Sequence, residues 1–113
     1  MTIPILKQHD ILIATIQSAL VDNDLYQLKD DLSRRVNKYR SSAVIIDLTE
    51  LDVMDSFASR ILRNIANTLV LCGAKTVIVG LQPDVAFAMV QLGLTLPGIE
   101  TALDLEAGLS LLG

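Results

Sequence analysis

Three hydroxyls and four carboxylates crowd into one short stretch of this 113-residue chain: Thr49, Ser56 and Ser59 beside Asp47, Glu50, Asp52 and Asp55. Alkyl hydroxyls of this kind accept phosphoryl groups. Ser56 is the best placed of them, because it follows an aspartate at the expected start of a helix. A phosphate there would add roughly −1.5 to −2 charges at neutral pH. The unpaired N–H groups and dipole of a helix N-terminus would receive it, while Asp52 and Asp55 would push it outward. The expected result is an unchanged fold with a changed surface. The simpler reading of Ser56 is an N-cap, since serine oxygen readily accepts from a free helical N–H. Local pattern alone favours the cap. Ser59, one turn along, and Thr49, in the preceding loop, are competing acceptors.

Other chemistries find little support. His9, the only histidine, falls in a turn, and no nucleophile or metal-ligand spacing surrounds it. Cys72, the only cysteine, excludes an intrachain disulfide. It is expected at a helix C-terminus, where the dipole disfavours a thiolate, as an inert buried thiol. Neither a Walker cradle nor a dinucleotide fingerprint occurs, and the single glycine of Val79-Gly80-Leu81-Gln82-Pro83 is too weak a signal for nucleotide binding. The acidic loop could imitate a metal-binding or phospho-aspartate site. The acidic pair such a site needs after the first strand is replaced by Gln8-His9-Asp10. The preferred roles are Asp47 as a tether of loop backbone and Asp55 as a cap or helix-start charge. Neither a cofactor nor a metal is expected.

Net charge is −4 and the pI is about 4.7. A basic stripe for nucleic acid is therefore not expected. The densest basic cluster, Arg34, Arg35, Lys38 and Arg40, is interleaved with Asp30 and Asp31 and reads as a solvated face or a protein contact. Met1-Thr2-Ile3-Pro4 lacks the basic region of a signal peptide, and no apolar run reaches the ~18 residues of a membrane span. A cytoplasmic protein with no membrane partner is expected. Hydrophobic residues make up 51% of the chain, charged residues 19%, and mean hydropathy is +0.50. That is apolar for a domain with so much surface, and it points to coverage by partners or by other copies of the chain.

The elements that would position the hydroxyls follow from periodicity. Ile3 to Lys7 and Ile11 to Ile16 read as a hairpin, with Pro4 placing the first strand at an edge. Leu25, Leu28, Leu32, Val36 and Tyr39 mark one helical face after the caps of Asp22 to Asp24. Ala43 to Leu48 is a strand buried on both sides. Phe57, Ile61, Ile65 and Leu69 line a helix from Ser56 to about Cys72, closed by Gly73. Lys75 to Gly80 is a further strand. Pro83 starts a helix carrying Val85, Met89 and Leu92. Ile99 to Ala102 is a brief last strand, and Asp104 caps a final helix with Leu105, Leu109 and Leu112. This order predicts an α/β fold, a mostly parallel sheet with an N-terminal hairpin and four helices, in a single domain over residues 1–113.

The apolar strand ending Asp47-Leu48-Thr49, the short loop, Met54-Asp55-Ser56 and the following helix together resemble the STAS domain of anti-sigma factor antagonists. The resemblance extends over nearly the whole chain, including the Gly80-Leu81-Gln82-Pro83 junction and the segment from Gly98 to Leu109. Within that family it is most similar to the small scaffold subunits of the bacterial stressosome. The resemblance implies a non-enzymatic protein whose phosphoacceptor is Ser56, with Asp55, Phe57 and Ser59 forming its surroundings and the kinase contact. It implies an RsbT-like switch kinase that is held before phosphorylation and released after it. It also implies a large assembly with further copies and with RsbR-type paralogues. Those paralogues carry an N-terminal sensory domain, whereas this chain begins at the hairpin. They tend to have threonine or serine where Gln82 stands, so a second phosphosite there is excluded. Ala58 replaces a glycine common in antagonists that act alone. That favours the stressosome branch over the alternative, a free antagonist binding an anti-sigma kinase directly.

Overall fold

The computed structural model describes residues 3–17, 22–51, 56–91 and 99–112. Strands β1 (Ile5–Gln8), β2 (Ile11–Gln17), β3 (Ala43–Glu50), β4 (Lys75–Val79) and β5 (Ile99–Ala102) form one five-stranded sheet in chain order. β1 pairs antiparallel with β2, and every later pairing is parallel. Helices α1 (Asp22–Tyr39), α2 (Ser56–Leu71), α3 (Pro83–Gln91) and α4 (Leu105–Leu112) follow β2, β3, β4 and β5 respectively. The α/β architecture with its leading hairpin and four helices is as expected.

Strands laid down in one direction with right-handed crossovers bring successive helices to one face. The alternation of strand residues shows this directly. Leu12, Ala14 and Ile16 of β2, Val44, Ile46 and Leu48 of β3, and Ile78 of β4 face Leu28, Leu32 and Val36 of α1 and Ile61, Leu62, Ile65 and Leu69 of α2. Val85 of α3 joins the same core. The intervening residues Ile13, Ile45, Val77 and Val79 face the other side, where Leu105, Leu109 and Leu112 of α4 pack on them together with Ile11 and Ala102. Gly108 lets α4 lie close to the sheet, for a Cβ at that position would approach Val79 Cγ1 to 2.6 Å.

The helix exits are well closed. Gly73 takes φ +88°, with its N–H donating to Val70 and that of Ala74 to Leu69, a complete Schellman turn. Arg40 supplies the equivalent left-handed residue after α1, at φ +51°, ahead of the Ser41–Ser42 pair that was expected to end the helix. Asp104 caps α4 through its carboxylate, which accepts the Ala107 N–H at 2.9 Å.

Three details differ from expectation. Strand β1 starts at Ile5, so Pro4 precedes the ladder and offers only its carbonyl, to Thr15 N–H. Tyr39 does not join the apolar stripe of α1: as its last residue it is 44% exposed, with the Lys7 and Lys38 ammonium groups over its ring at 5.6 and 5.3 Å. Cys72 is exposed rather than buried. It follows the last residue of α2, in the turn that leads to β4.

Candidate functional site

The carboxyl ends of β3 and β4 carry the residues singled out by type. β3 outruns its neighbour: its pairing with β4 stops at Asp47–Val79, while on the β2 side Glu50 still pairs with Gln17. Beyond Asp47 the strand must satisfy its backbone by other means. Oδ1 of Asp47 accepts the Thr49 N–H at 2.9 Å and the Thr49 hydroxyl at 2.6 Å. The Leu51 N–H donates to the Leu48 carbonyl at 3.0 Å, turning the chain out of the sheet. Asp47 is therefore a backbone tether, as its position suggested.

The junction after β4 meets the same residue. Gly80 takes φ +73°, and its N–H turns towards the Ala102 and Leu103 carbonyls at 3.4 and 3.2 Å, away from β3. Its missing side chain leaves room for Thr49: a Cβ would overlap the Thr49 hydroxyl and come within 2.9 Å of its nitrogen. Two residues on, the Gln82 side-chain amide donates to the Thr49 carbonyl at 2.7 Å. The Gln82 carbonyl meanwhile accepts the Ala86 N–H at 2.9 Å, the first bond of α3. Gln82 thus begins one helix with its backbone and holds a neighbouring strand with its side chain.

Ser56 is the first residue of α2. Asp55 lies outside the described residues, as do the side chains of Ser56, Phe57 and Ser59, so the backbone alone relates them. Helical spacing puts Arg60 one turn beyond Ser56, and Arg63 one turn beyond Ser59. Both arginines are exposed. The fixed Thr49 hydroxyl, already bonded to Asp47 and packed at Gly80, differs from a free acceptor. Among the described residues no group of three or more histidine, cysteine or acidic side chains gathers as a metal site. No helix there is long and apolar enough to cross a membrane.

The Thr49–Gln82 bond was beyond sequence reasoning, since residues 33 apart meet only once the sheet has formed. The spacing of Arg60 from Ser56 follows from the helix period alone. Large exposed apolar side chains are also present, among them Phe87 and Val90 on the outer side of α3, Leu103 after β5 and Leu71 at the end of α2.

Comparison with known proteins fits this geometry. The chain is 34% identical to an RsbS of Moorella thermoacetica bearing a serine-to-glutamate substitution, with a TM-score of 0.87 over 97% of this chain and 93% of that one. It is 36% identical to a chain from a structure of the stressosome, described as a signal integration and transduction hub, with a TM-score of 0.86 over 96% and 95% of the two chains. The RsbT co-antagonist protein RsbRA of Bacillus subtilis strain 168 is 30% identical over 83 residues, 74% of this chain but only 30% of that protein. Residues 2–106 match the STAS domain, and with its hairpin-led sheet and four helices this chain belongs to the STAS-domain family.

Proposed function

We propose that this chain is a scaffold and phospho-switch of a bacterial stressosome, without catalysis of its own. In this reading it holds an RsbT-like switch kinase, is phosphorylated by it on Ser56, and then releases it. The observation that carries the reading is the likeness to RsbS and to a stressosome chain, each over more than nine-tenths of this chain. Ser56 heads α2 at the same rim of the sheet as Asp47, Thr49 and Gln82, so a phosphate there alters a surface and not the core. Arg60, one turn on and exposed, is spaced to pair with that phosphate, while Asp55 and Asp52 repel it. Asp55, Phe57 and Ser59 would form the surroundings of that phosphate and the kinase contact, with Phe57 also in phase with the core residues Ile61 and Ile65. The exposed apolar residues of α3 support contact with further copies and with RsbR-type paralogues in a cytoplasmic assembly.

The deciding experiment is incubation with the switch kinase and ATP, followed by phosphosite mapping. Label on Ser56 is expected. Label confined to Ser59 or Thr49 would remove Ser56 from the mechanism. Size-exclusion with an RsbR-type partner tests the assembly: a co-eluting species of megadalton order is expected, and separate small species would favour a free antagonist.

A further inference from the structure

We infer that Gln82 is a positioning residue for the Ser56 switch: its side chain clamps the root of the loop that leads to Ser56 onto the start of α3. The inference rests on the reading of Ser56 as the phosphorylated residue.

The geometry is specific. β4 ends opposite Asp47, and Gly80 turns the following backbone towards β5. The Thr49 carbonyl thereby loses the donor that another residue of β4 would have supplied. The Gln82 amide replaces that donor at 2.7 Å. Thr49 is then fixed from both sides, its N–H and hydroxyl on Asp47 and its carbonyl on Gln82. Gly80 contributes by having no Cβ to displace it. The chain leaves this fixed residue for the loop and returns as α2 at Ser56. The strand residue from which that loop departs is thus held by the residue that precedes α3.

The bond joins the end of β3 to the residue that opens α3. Gln82 is the residue whose carbonyl opens α3, so a shift of α3 against the sheet would move its amide and with it Thr49. α3 carries the exposed Phe87 and Val90. A neighbour seated on those residues would therefore be felt at the acceptor loop, which ties occupancy of the assembly to presentation of the serine. A kinase needs its acceptor hydroxyl held in line with the transferred phosphoryl group. The clamp should therefore act on turnover more than on encounter.

The test uses the full chain and the same kinase. Gln82→Ala removes the amide, Gln82→Glu keeps the stem and removes the donor, and Gln82→Lys restores an N–H on a stem one atom longer. The first two should be phosphorylated on Ser56 with kcat lowered on the order of three- to tenfold, the scale of one net hydrogen bond, and with KM changed less than about twofold. Gln82→Lys should recover most of the rate. Amide exchange at Thr49 and Leu51 should accelerate by a similar factor in Gln82→Ala and Gln82→Glu, while that of β2 stays constant. If either variant proves unfolded by circular dichroism, the other carries the comparison with Gln82→Lys. Wild-type rates in both donor-less variants, with wild type labelled on Ser56, would overturn the positioning role alone. Absence of label on Ser56 in wild type would remove the switch reading and the positioning role together.

Discussion

Asp47 holds Thr49 with a single carboxylate oxygen, which accepts both the backbone N–H and the side-chain hydroxyl. One acceptor serving two donors two residues away closes a tight local ring at the end of β3. Asp47→Ala should cost about 1–2 kcal/mol, the low end for bonds to a charged group since the site faces solvent. Thr49→Val should cost about 0.5–1.5 kcal/mol, because only the hydroxyl bond is lost. Urea unfolding of the two single variants and the double variant checks this. The double variant should be less destabilised than the sum, because the two changes break the same contact.

Variants of Ser56 would separate its reading as a helix cap from the proposed switch. Ser56→Ala should fold with a loss of at most ~0.5–2 kcal/mol, the worth of a cap, and should hold the kinase permanently. Ser56→Asp should weaken kinase capture in a pull-down. Full affinity in Ser56→Asp would contradict release by charge.

At the opposite rim, the Ser42 hydroxyl donates to Asp10 Oδ2 at 2.7 Å. This bond is the main cause that holds the Asp10 carboxyl below its ordinary 3.8, aided by the aspartate's own backbone N–H and by the nearby charges of His9 and Lys7. A carboxyl lowered in the folded state lends stability that is complete above its unfolded value and is lost as pH falls through the folded one. Acid unfolding of wild type should therefore steepen below pH 3.8. Ser42→Ala should flatten that limb and leave the neutral-pH slope unchanged. Identical acid limbs would contradict the assignment.

Ser41 is buried at 5% exposure, and among the described residues its hydroxyl has no hydrogen-bond partner. Leaving such a group dry costs about 1–3 kcal/mol. Ser41→Ala should accordingly raise stability by about 1 kcal/mol, read as a higher thermal midpoint.

The arrangement of elements was open to reading because each carries its own periodic signal. Leu28, Leu32 and Val36 face the core at helical spacing, and Val44, Ile46 and Leu48 do so at strand spacing. Gly73 and Asp104 marked helix ends by chemistry that depends only on neighbours. Departures came where tertiary placement overrode local pattern. Tyr39 satisfies the stripe by position, yet as the last residue of α1 it is exposed and its ring meets two lysines. Cys72, just beyond the end of α2, is likewise exposed. At the site, Asp47 as a tether was legible because its partner is two residues away. Gln82 was not, because a glutamine before a proline is ordinary until β3 is known to outrun β4. Its sequence signal was negative only: a residue that cannot accept phosphate.

The strands succeed one another across the sheet without ever doubling back. In doubly wound folds, reversal of strand order sends adjoining crossovers to opposite faces and opens a crevice where cofactors lodge. Here the crossovers through α1, α2 and α3 all rise on one side, so that crevice has no origin. Among the described residues, the carboxyl rim brings Asp47 and Thr49 of β3 against Gln82 at the head of α3. On the function proposed above, that rim is a surface for another protein to grip, and a charge added to it is read by touch.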